Sequence, residues 1–300
     1  MSILEAIIQG IIQGLTEFLP VSSSGHLSLY QHFTGNSGEG ALLFSAILHL
    51  GTLTAVFIAF RKTISKMIIE FFNIIKNIFT GKFSFKSLNQ SGRAVIMMLI
   101  SLIMLLPFYI FKDFFENVAQ DNDIIIEGVC FLFTAFILFL SDKCVKGYKE
   151  LGDITVKNAV TVGVFQGMAL LPGVSRSGST ISGGLFSGLK KETAVEYSFI
   201  LGIPAIAGGS FLEAKEAFET GTQTAEPVIF AVGFVTAAII GICAIKAVKL
   251  LMKSDKFKVF AVYTFMIGID SIIIGITENV IDMNFIDYIN TNSILNSRQI

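Results

Sequence analysis

Glu17, Ser23, His26 and Arg176 are the side chains of this sequence whose types could do chemistry together. A carboxylate can hold a cation or take a proton, and a serine can attack phosphorus or carbon. An imidazole can move a proton near neutrality, and a guanidinium can grip phosphate oxygens. Three of the four fall in one stretch, QGLTEFLPVSSSGH, which runs from Gln13 to His26. Gly10, Gln13, Gly14 and Glu17 are three or four apart, so a helix puts them on one face, with the glycines allowing close approach. Pro20 lacks an N–H and disfavours helix at Leu19, so the helix must break there. Ser22, Ser23 and Ser24 are N-cap types for a second short helix running through His26 towards Phe33. Its free N–H groups, with Ser22, Ser24 and Gly25, would make an anion site. The plainer reading is a proline kink whose serines bond back to carbonyls.

A second stretch repeats the first at an offset of 153 residues: GVFQGMALLPGVSRSGSTISGG, Gly163 to Gly184. Gly10, Gln13, Gly14, Val21, Ser22, Ser24 and Gly25 meet Gly163, Gln166, Gly167, Val174, Ser175, Ser177 and Gly178. Pro20 and Pro172 are one place out of register. The differences carry the chemistry, for Glu17 faces Leu170, Ser23 faces Arg176 and His26 faces Ser179. One copy holds acid, hydroxyl and imidazole, and the other holds the arginine. They look like two halves of one site.

The elements that must position these residues lie in a bilayer. The chain has 300 residues, 53% hydrophobic and 15% charged, with mean hydropathy +0.71, which is the composition of a polytopic membrane protein. Residues 1–12 lack a basic start and a small-residue cleavage site, so no removable signal peptide is expected. Cys130, Cys144 and Cys243 are isolated and are read as packing residues. Six stretches are long enough to cross: 41–60, 94–112, 124–141, 194–212, 228–247 and 259–277. Residues 2–33 and 158–189 are apolar but broken at mid-length, so each should enter and leave on one side. Backbone of that kind is tolerated at membrane depth only where it is buried in protein or lines a wet cavity.

Four connections (61–93, 143–157, 190–191 and 246–258) carry eighteen of the twenty-two Lys and Arg residues. The others are acidic, with Asp113, Glu116, Asp121 and Asp123 in one, Glu213, Glu216, Glu219 and Glu226 in another, and Asp282 and Asp287 at the end. Placing the basic set in the cytoplasm lets all six spans alternate without conflict. The first broken segment then enters from outside and the second from the cytoplasm. One re-entrant segment plus three spans makes a repeat, and an odd number of spans inverts the second copy. The expected fold is therefore all-α, with six transmembrane helices and two re-entrant broken helices in two inverted-topology repeats, 1–141 and 158–279, before a loose tail at 280–300. The half-helix tips should meet near the midplane, with Ser22–His26 facing Ser175–Ser177. The Phe- and Lys-rich 62–92 stretch should lie along the interface.

A buried arginine costs on the order of 3 kcal/mol on insertion scales, so Arg176 needs an anionic partner. That is Glu17 in the plain ion-pair reading. A phosphate suits it better, since Arg176 sits among Ser175, Ser177 and Gly178 in a turn that opens a helix. Opposite it, Glu17 could hold a divalent cation or act as base, and Gln13 could ligate or orient. Ser23 could be a nucleophile whose proton His26 moves. His32 is expected at the outer interface, and His49 to be a bundle-facing polar residue rather than a ligand.

On QGLTEFLPVSSSGH at 13–26 and LLPGVSRSG at 170–178, the chain resembles the undecaprenyl-diphosphate phosphatase (bacitracin resistance) family over nearly its whole length. The resemblance implies hydrolysis of undecaprenyl diphosphate to the monophosphate, dependent on a divalent metal such as Mg or Ca. It also implies a site open to the outer face of the bacterial plasma membrane. The family's Glu/Gln-x-x-x-Glu pair falls on Gln13 and Glu17, its serines on Ser22 and Ser23, its histidine on His26 and its arginine on Arg176. Gln13 stands where some members carry Glu, which leaves Glu17 as the main charged metal ligand. The expected partners are a polyprenyl diphosphate lipid and the bilayer, with no nucleic acid, and a homodimer is left open. A transporter or flippase of an anionic isoprenoid lipid is the main rival, although pure transport needs no nucleophile beside the arginine. An acid-phosphatase-like lipid phosphatase is the second, but no further histidine follows Arg176 at the required spacing. Whether Ser23 or His26 attacks phosphorus stays open at this point.

Overall fold

The computed structural model describes residues 1–35, 41–110, 124–144, 146–171, 173–220, 226–254 and 256–284. These form helices α1 Ile3–Thr16, α2 Ser23–Thr34, α3 Ala41–Ala59, α4 Arg61–Phe79, α5 Gln90–Ile103, α6 Leu106–Tyr109 and α7 Ile125–Asp142. The second half supplies α8 Val156–Met168, α9 Arg176–Phe186, α10 Lys191–Glu219, α11 Pro227–Lys253 and α12 Lys258–Ile281. Among the described residues the β structure amounts to one isolated bridge, Lys149 to Leu189. Six helical stretches are long and apolar enough to cross a bilayer: Leu42–Ala59, Gln90–Phe108, Ile125–Asp142, Lys191–Glu219, Pro227–Lys253 and Lys258–Ile281. Each meets one predicted span, and the protein is a multi-pass membrane protein. Residues 111–112 of the second span, Pro172, the acidic Asp113–Asp123 group, Asp287 and most of the tail lie outside the described residues.

Both predicted breaks are present, and capping explains where the chain restarts. After α1 the chain turns through Pro20, and Ser22 caps α2 by accepting from the Gly25 N–H at 3.3 Å. Ser175 caps α9 likewise, accepting from Gly178 at 3.0 Å. The helices before the breaks pack through their glycines. A Cβ at Gly10 would sit 2.9 Å from Thr236 of α11, and one at Gly14 would sit 2.9 Å from the Ala237 carbonyl. Gly163 and Gly167 of α8 abut Ser101, Met104 and Phe108 on the α5–α6 side. Around these, α3 packs on α10 and α11, and α7 pairs with α12.

The basic connections gather at one end of the bundle. There Thr63 donates to Glu196 at 2.6 Å, Lys249 lies over the Phe60 ring, Lys149 donates to Asn158, and Lys190 pairs with Glu150. α4 buries Ile64, Met67 and Ile74 while exposing Ile69, Phe72 and Phe79, the two-faced pattern of a helix lying along an interface. Of the cysteines only Cys130 is buried. Cys243 is on the exposed side of α11, so it does not pack in the core as expected.

Candidate active site

The two breaks meet tip to tip. Ser177 Oγ donates to the Leu19 carbonyl at 3.2 Å, the Gly173 N–H points to Ser24 Oγ at 3.4 Å, and Arg176 reaches across to Glu17. Gly25 allows this approach, since a Cβ there would lie 2.6 Å from the Phe131 ring and 3.3 Å from Gly173 Cα. Thr134 of α7 steadies the second tip by accepting from the Ser175 N–H at 3.1 Å.

Glu17 is the hub of the junction. Its Oε2 accepts from Ser23 Oγ at 2.7 Å and from Gln13 Nε2 at 3.0 Å, while Oε1 accepts from Arg176 Nη2. Gln13 lies one turn earlier on the same helical face, as the i, i+4 spacing requires. Arg176 is itself the first residue of α9, so the guanidinium adds a full positive charge to a helix N-terminus. Its Nη1, packed against Gly202 of α10, is buried without a hydrogen-bond partner. Ser22 and Ser24 hydroxyls lie 3.3 Å apart, as do those of Ser175 and Ser177. Glu17, Arg176 and Ser22, Ser23, Ser24, Ser175 and Ser177 line a cavity of about 220 Å³, with Gln13 buried behind Glu17.

His26 is placed differently from its neighbours. Its Nδ1 is 2.7 Å from the Ser22 carbonyl and its Nε2 is 2.9 Å from the Tyr263 hydroxyl of α12. The ring stacks on Tyr263 and meets Phe131 edge-on. It does not line the cavity, and the Ser23 hydroxyl is bonded to Glu17 instead. His26 thus ties the start of α2 to α12. Farther along α2, Ser28 donates to Glu127 of α7 at 2.7 Å, and His32 Nε2 meets Glu278 of α12 at 3.0 Å.

Two further cavity residues, His49 and Glu213, are ones the sequence does not place beside Glu17. His49 of α3 projects Nε2 to 4.0 Å from Glu17 and Nδ1 to 3.5 Å from Glu213 of α10. Its one sequence signal is Ser45, one turn earlier, whose carbonyl holds Nδ1 at 3.0 Å. Glu213 belongs by sequence to the acidic connection after the fourth span, but α10 continues through it to Glu219, and the helix faces it into the cavity. The cavity therefore extends from Arg176 towards the acidic end of the bundle.

The fit to a divalent ion can be judged from the donors present. Gln13 Oε1 is a buried acceptor with no partner, next to the Glu17 carboxylate. Among the described residues no group of three or more His, Cys, Asp or Glu is arranged to hold a metal alone. One carboxylate and one amide oxygen suit a hard cation that draws its remaining ligands from phosphate and water. The donor set fits an ion shared with a phosphorylated substrate.

The fold and the site together define a multi-pass helical membrane protein with an acid–hydroxyl–arginine junction between its two broken segments. Residues 6–270 match the family described as bacitracin resistance protein BacA, and the chain belongs to that family. An undecaprenyl-diphosphatase of Desulforapulum autotrophicum is 38% identical over 277 residues, which is 92% of this chain and 99% of the relative. One of Alkaliphilus metalliredigens is 37% identical over 270 residues, covering 89% and 97%. Undecaprenyl-diphosphatase 4 of Bacillus thuringiensis is 39% identical over 273 residues, covering 90% and 96%.

Proposed function

We propose that this protein hydrolyses undecaprenyl diphosphate to undecaprenyl phosphate and inorganic phosphate, recycling the lipid carrier of cell-wall synthesis and thereby conferring bacitracin resistance. Family membership supports the substrate. The observation that carries the chemistry is the Ser23 hydroxyl donating to a Glu17 carboxylate whose other oxygen faces Arg176. In this scheme Glu17 takes the proton as Ser23 Oγ attacks the terminal phosphorus. The bond to the bridging oxygen breaks, and undecaprenyl phosphate leaves with the electron pair. Glu17 hands that proton to the departing undecaprenyl phosphate. Water then attacks the phosphoserine, and Glu17 takes its proton. That proton passes to Ser23 Oγ as the serine–phosphorus bond breaks and phosphate is released. Arg176, the α9 N–H groups and the hydroxyls of Ser22, Ser24, Ser175 and Ser177 hold the non-bridging oxygens where charge develops. Substrate binding draws Arg176 partly off Glu17, which frees the carboxylate to act. His26 acts one step back, fixing the first turn of α2 through Ser22 and Tyr263.

Glu17 and Gln13 would hold a divalent ion, Mg or Ca, whose charge would offset that of the diphosphate. The fold is read as two inverted repeats, residues 1–141 and 158–279, with 2–33 and 158–189 re-entrant. The exchange of contacts supports this, because α1 packs on α11 as its counterpart α8 packs on α5. With the basic end in the cytoplasm, the cavity faces the extracytoplasmic side of the bacterial plasma membrane. The test is phosphate release from undecaprenyl diphosphate by the purified chain. Release abolished by Ser23→Ala supports the scheme. Binding or transbilayer movement of the lipid with no phosphate released would favour the transporter reading.

A further inference from the structure

A second cavity, of about 490 Å³, lies at the basic end between the α3–α4 junction, α10 and α11. Arg61, Lys62, Lys246 and Lys249 line it, against a single carboxylate, Glu196. Glu196 is already engaged by Thr63 at 2.6 Å. Among the described residues none of the four cations has a hydrogen bond or an ion pair, and Lys249 rests 3.8 Å over the Phe60 ring. Arg61 opens α4, whose first turn has no side-chain cap. Four like charges around one concavity outnumber Glu196 and repel one another, so an anion among them would relieve that repulsion. Ile58, Ile242 and Ile245 supply an apolar wall beside the charges, as a ligand with a hydrocarbon part would need. The cavity is separate from the active site. Glu196 and Ala205 of α10 face different cavities nine residues apart, about 13 Å along a helix. The edge-packed rings of Phe18, Phe199 and Phe60 stand between them.

We propose that this cavity binds a phosphate anion, borne as the headgroup of an anionic glycerolipid from the adjacent leaflet. Basic pockets between membrane helices on the positively charged side recognise such headgroups, each cation contributing about fivefold in affinity. Lys249, with its ammonium fixed over Phe60, and Arg61, with a planar fork, would contact the phosphate oxygens.

The test uses the full-length chain in zwitterionic detergent, titrated with phosphatidylglycerol and with phosphatidylcholine and read by native mass spectrometry. The expected result is a clear preference for phosphatidylglycerol that falls at least about tenfold in Arg61→Gln/Lys246→Gln/Lys249→Gln. That variant should still release phosphate from undecaprenyl diphosphate, which shows that it is folded. Lys246→Arg/Lys249→Arg should keep the preference, and so should Arg176→Lys. Equal retention of the two lipids, or a preference untouched by the triple variant, would overturn the proposal. So would loss of the preference in Arg176→Lys, which would put the headgroup in the active-site cavity. Radiolabelled inorganic phosphate forms the second arm. Saturable phosphate binding lost in the triple variant, without any lipid preference, would reject the lipid and leave a soluble anion as the ligand.

Discussion

In the first broken segment the positive φ falls on Ser22, at 72°, whereas in the second it falls on Gly173, at 85°. Glycine adopts such a backbone freely, and serine does so at a cost of about 1–3 kcal/mol. The surroundings differ in the same sense. Every residue of α9 from Ser177 to Leu185 is buried, but α2 buries only Gly25 and Leu27. The second segment is thus a relaxed, enclosed mount for Arg176. The first is a strained, half-open lip that carries Ser23. The two turns are built differently, and in the proposed scheme the reacting hydroxyl sits on the one whose geometry is costly to hold.

If the first segment holds the reacting group, Ser23→Ala should have the largest effect, lowering kcat by about 10³-fold or more with KM little changed. Rapid quenching with labelled substrate should trap an acid-stable phosphoserine in the wild type. An acid-labile, base-stable adduct that disappears in His26→Ala would move the nucleophile to His26. It would also require the imidazole to leave Ser22 and Tyr263.

If the second segment is a mount for one charge, Arg176→Lys should lower kcat/KM by about 10²–10³-fold, because an ammonium offers no fork to Glu17 and a phosphate together. Retention of most activity would show that charge alone suffices. Removing Glu17 should act on the fold as well as on turnover. Breaking a buried pair from one side costs about 3–5 kcal/mol, so Glu17→Ala should lower the melting temperature more than Glu17→Ala/Arg176→Ala does. A double variant less stable than the single one would mean that the pair does not hold the two tips together.

Much of this contrast was legible in the chain, and the illegible part has physical causes. Spans of about twenty apolar residues announce themselves, and Pro20 with its serines marks the first break because backbone geometry leaves little choice. Charge alone names Glu17 as the nearest protein partner for Arg176, and the structure pairs them, although the glycine- and serine-rich turn favours a phosphate there. His26 could not be placed, because spacing puts it beside Ser23 and says nothing of Tyr263, which draws the ring away. His49, expected to face the bundle, and Glu213, expected in a connection, could not be placed beside Glu17 for the same reason. They meet only where α3 crosses α10, and neither sits in a motif.

A smaller effect concerns the metal. If the unpartnered Gln13 Oε1 helps Glu17 hold a divalent ion, chelation should stop turnover. Gln13→Leu should then raise the metal concentration for half-maximal rate by about tenfold, leaving the rate at saturating metal within a few-fold. An unchanged metal requirement would confine Gln13 to orienting Glu17 through its Nε2.

The smallest effect is also the most direct probe of the two turns. Ser22→Gly removes the strained φ and costs only a few tenths of a kcal/mol as a cap, so it should stabilise the protein by up to about 1 kcal/mol. Gly173→Ala forces a side chain into a positive φ and brings its Cβ to 2.8 Å from Cys130, so it should destabilise by at least about 1–2 kcal/mol. Melting temperature in detergent reads both signs. The informative quantity is the activity that accompanies them. The comparison is with Ser22→Ala, which loses the same hydroxyl but keeps the strained φ. Should the strain at Ser22 aim Ser23 at Glu17, Ser22→Gly should be slower in kcat than Ser22→Ala although more stable, since the first turn of α2 can then swing away from the junction. A glycine variant as fast as Ser22→Ala would mean that the positive φ is only the route the chain takes around Pro20, and that Tyr263 and the residue-22 carbonyl, through His26, suffice to aim the hydroxyl.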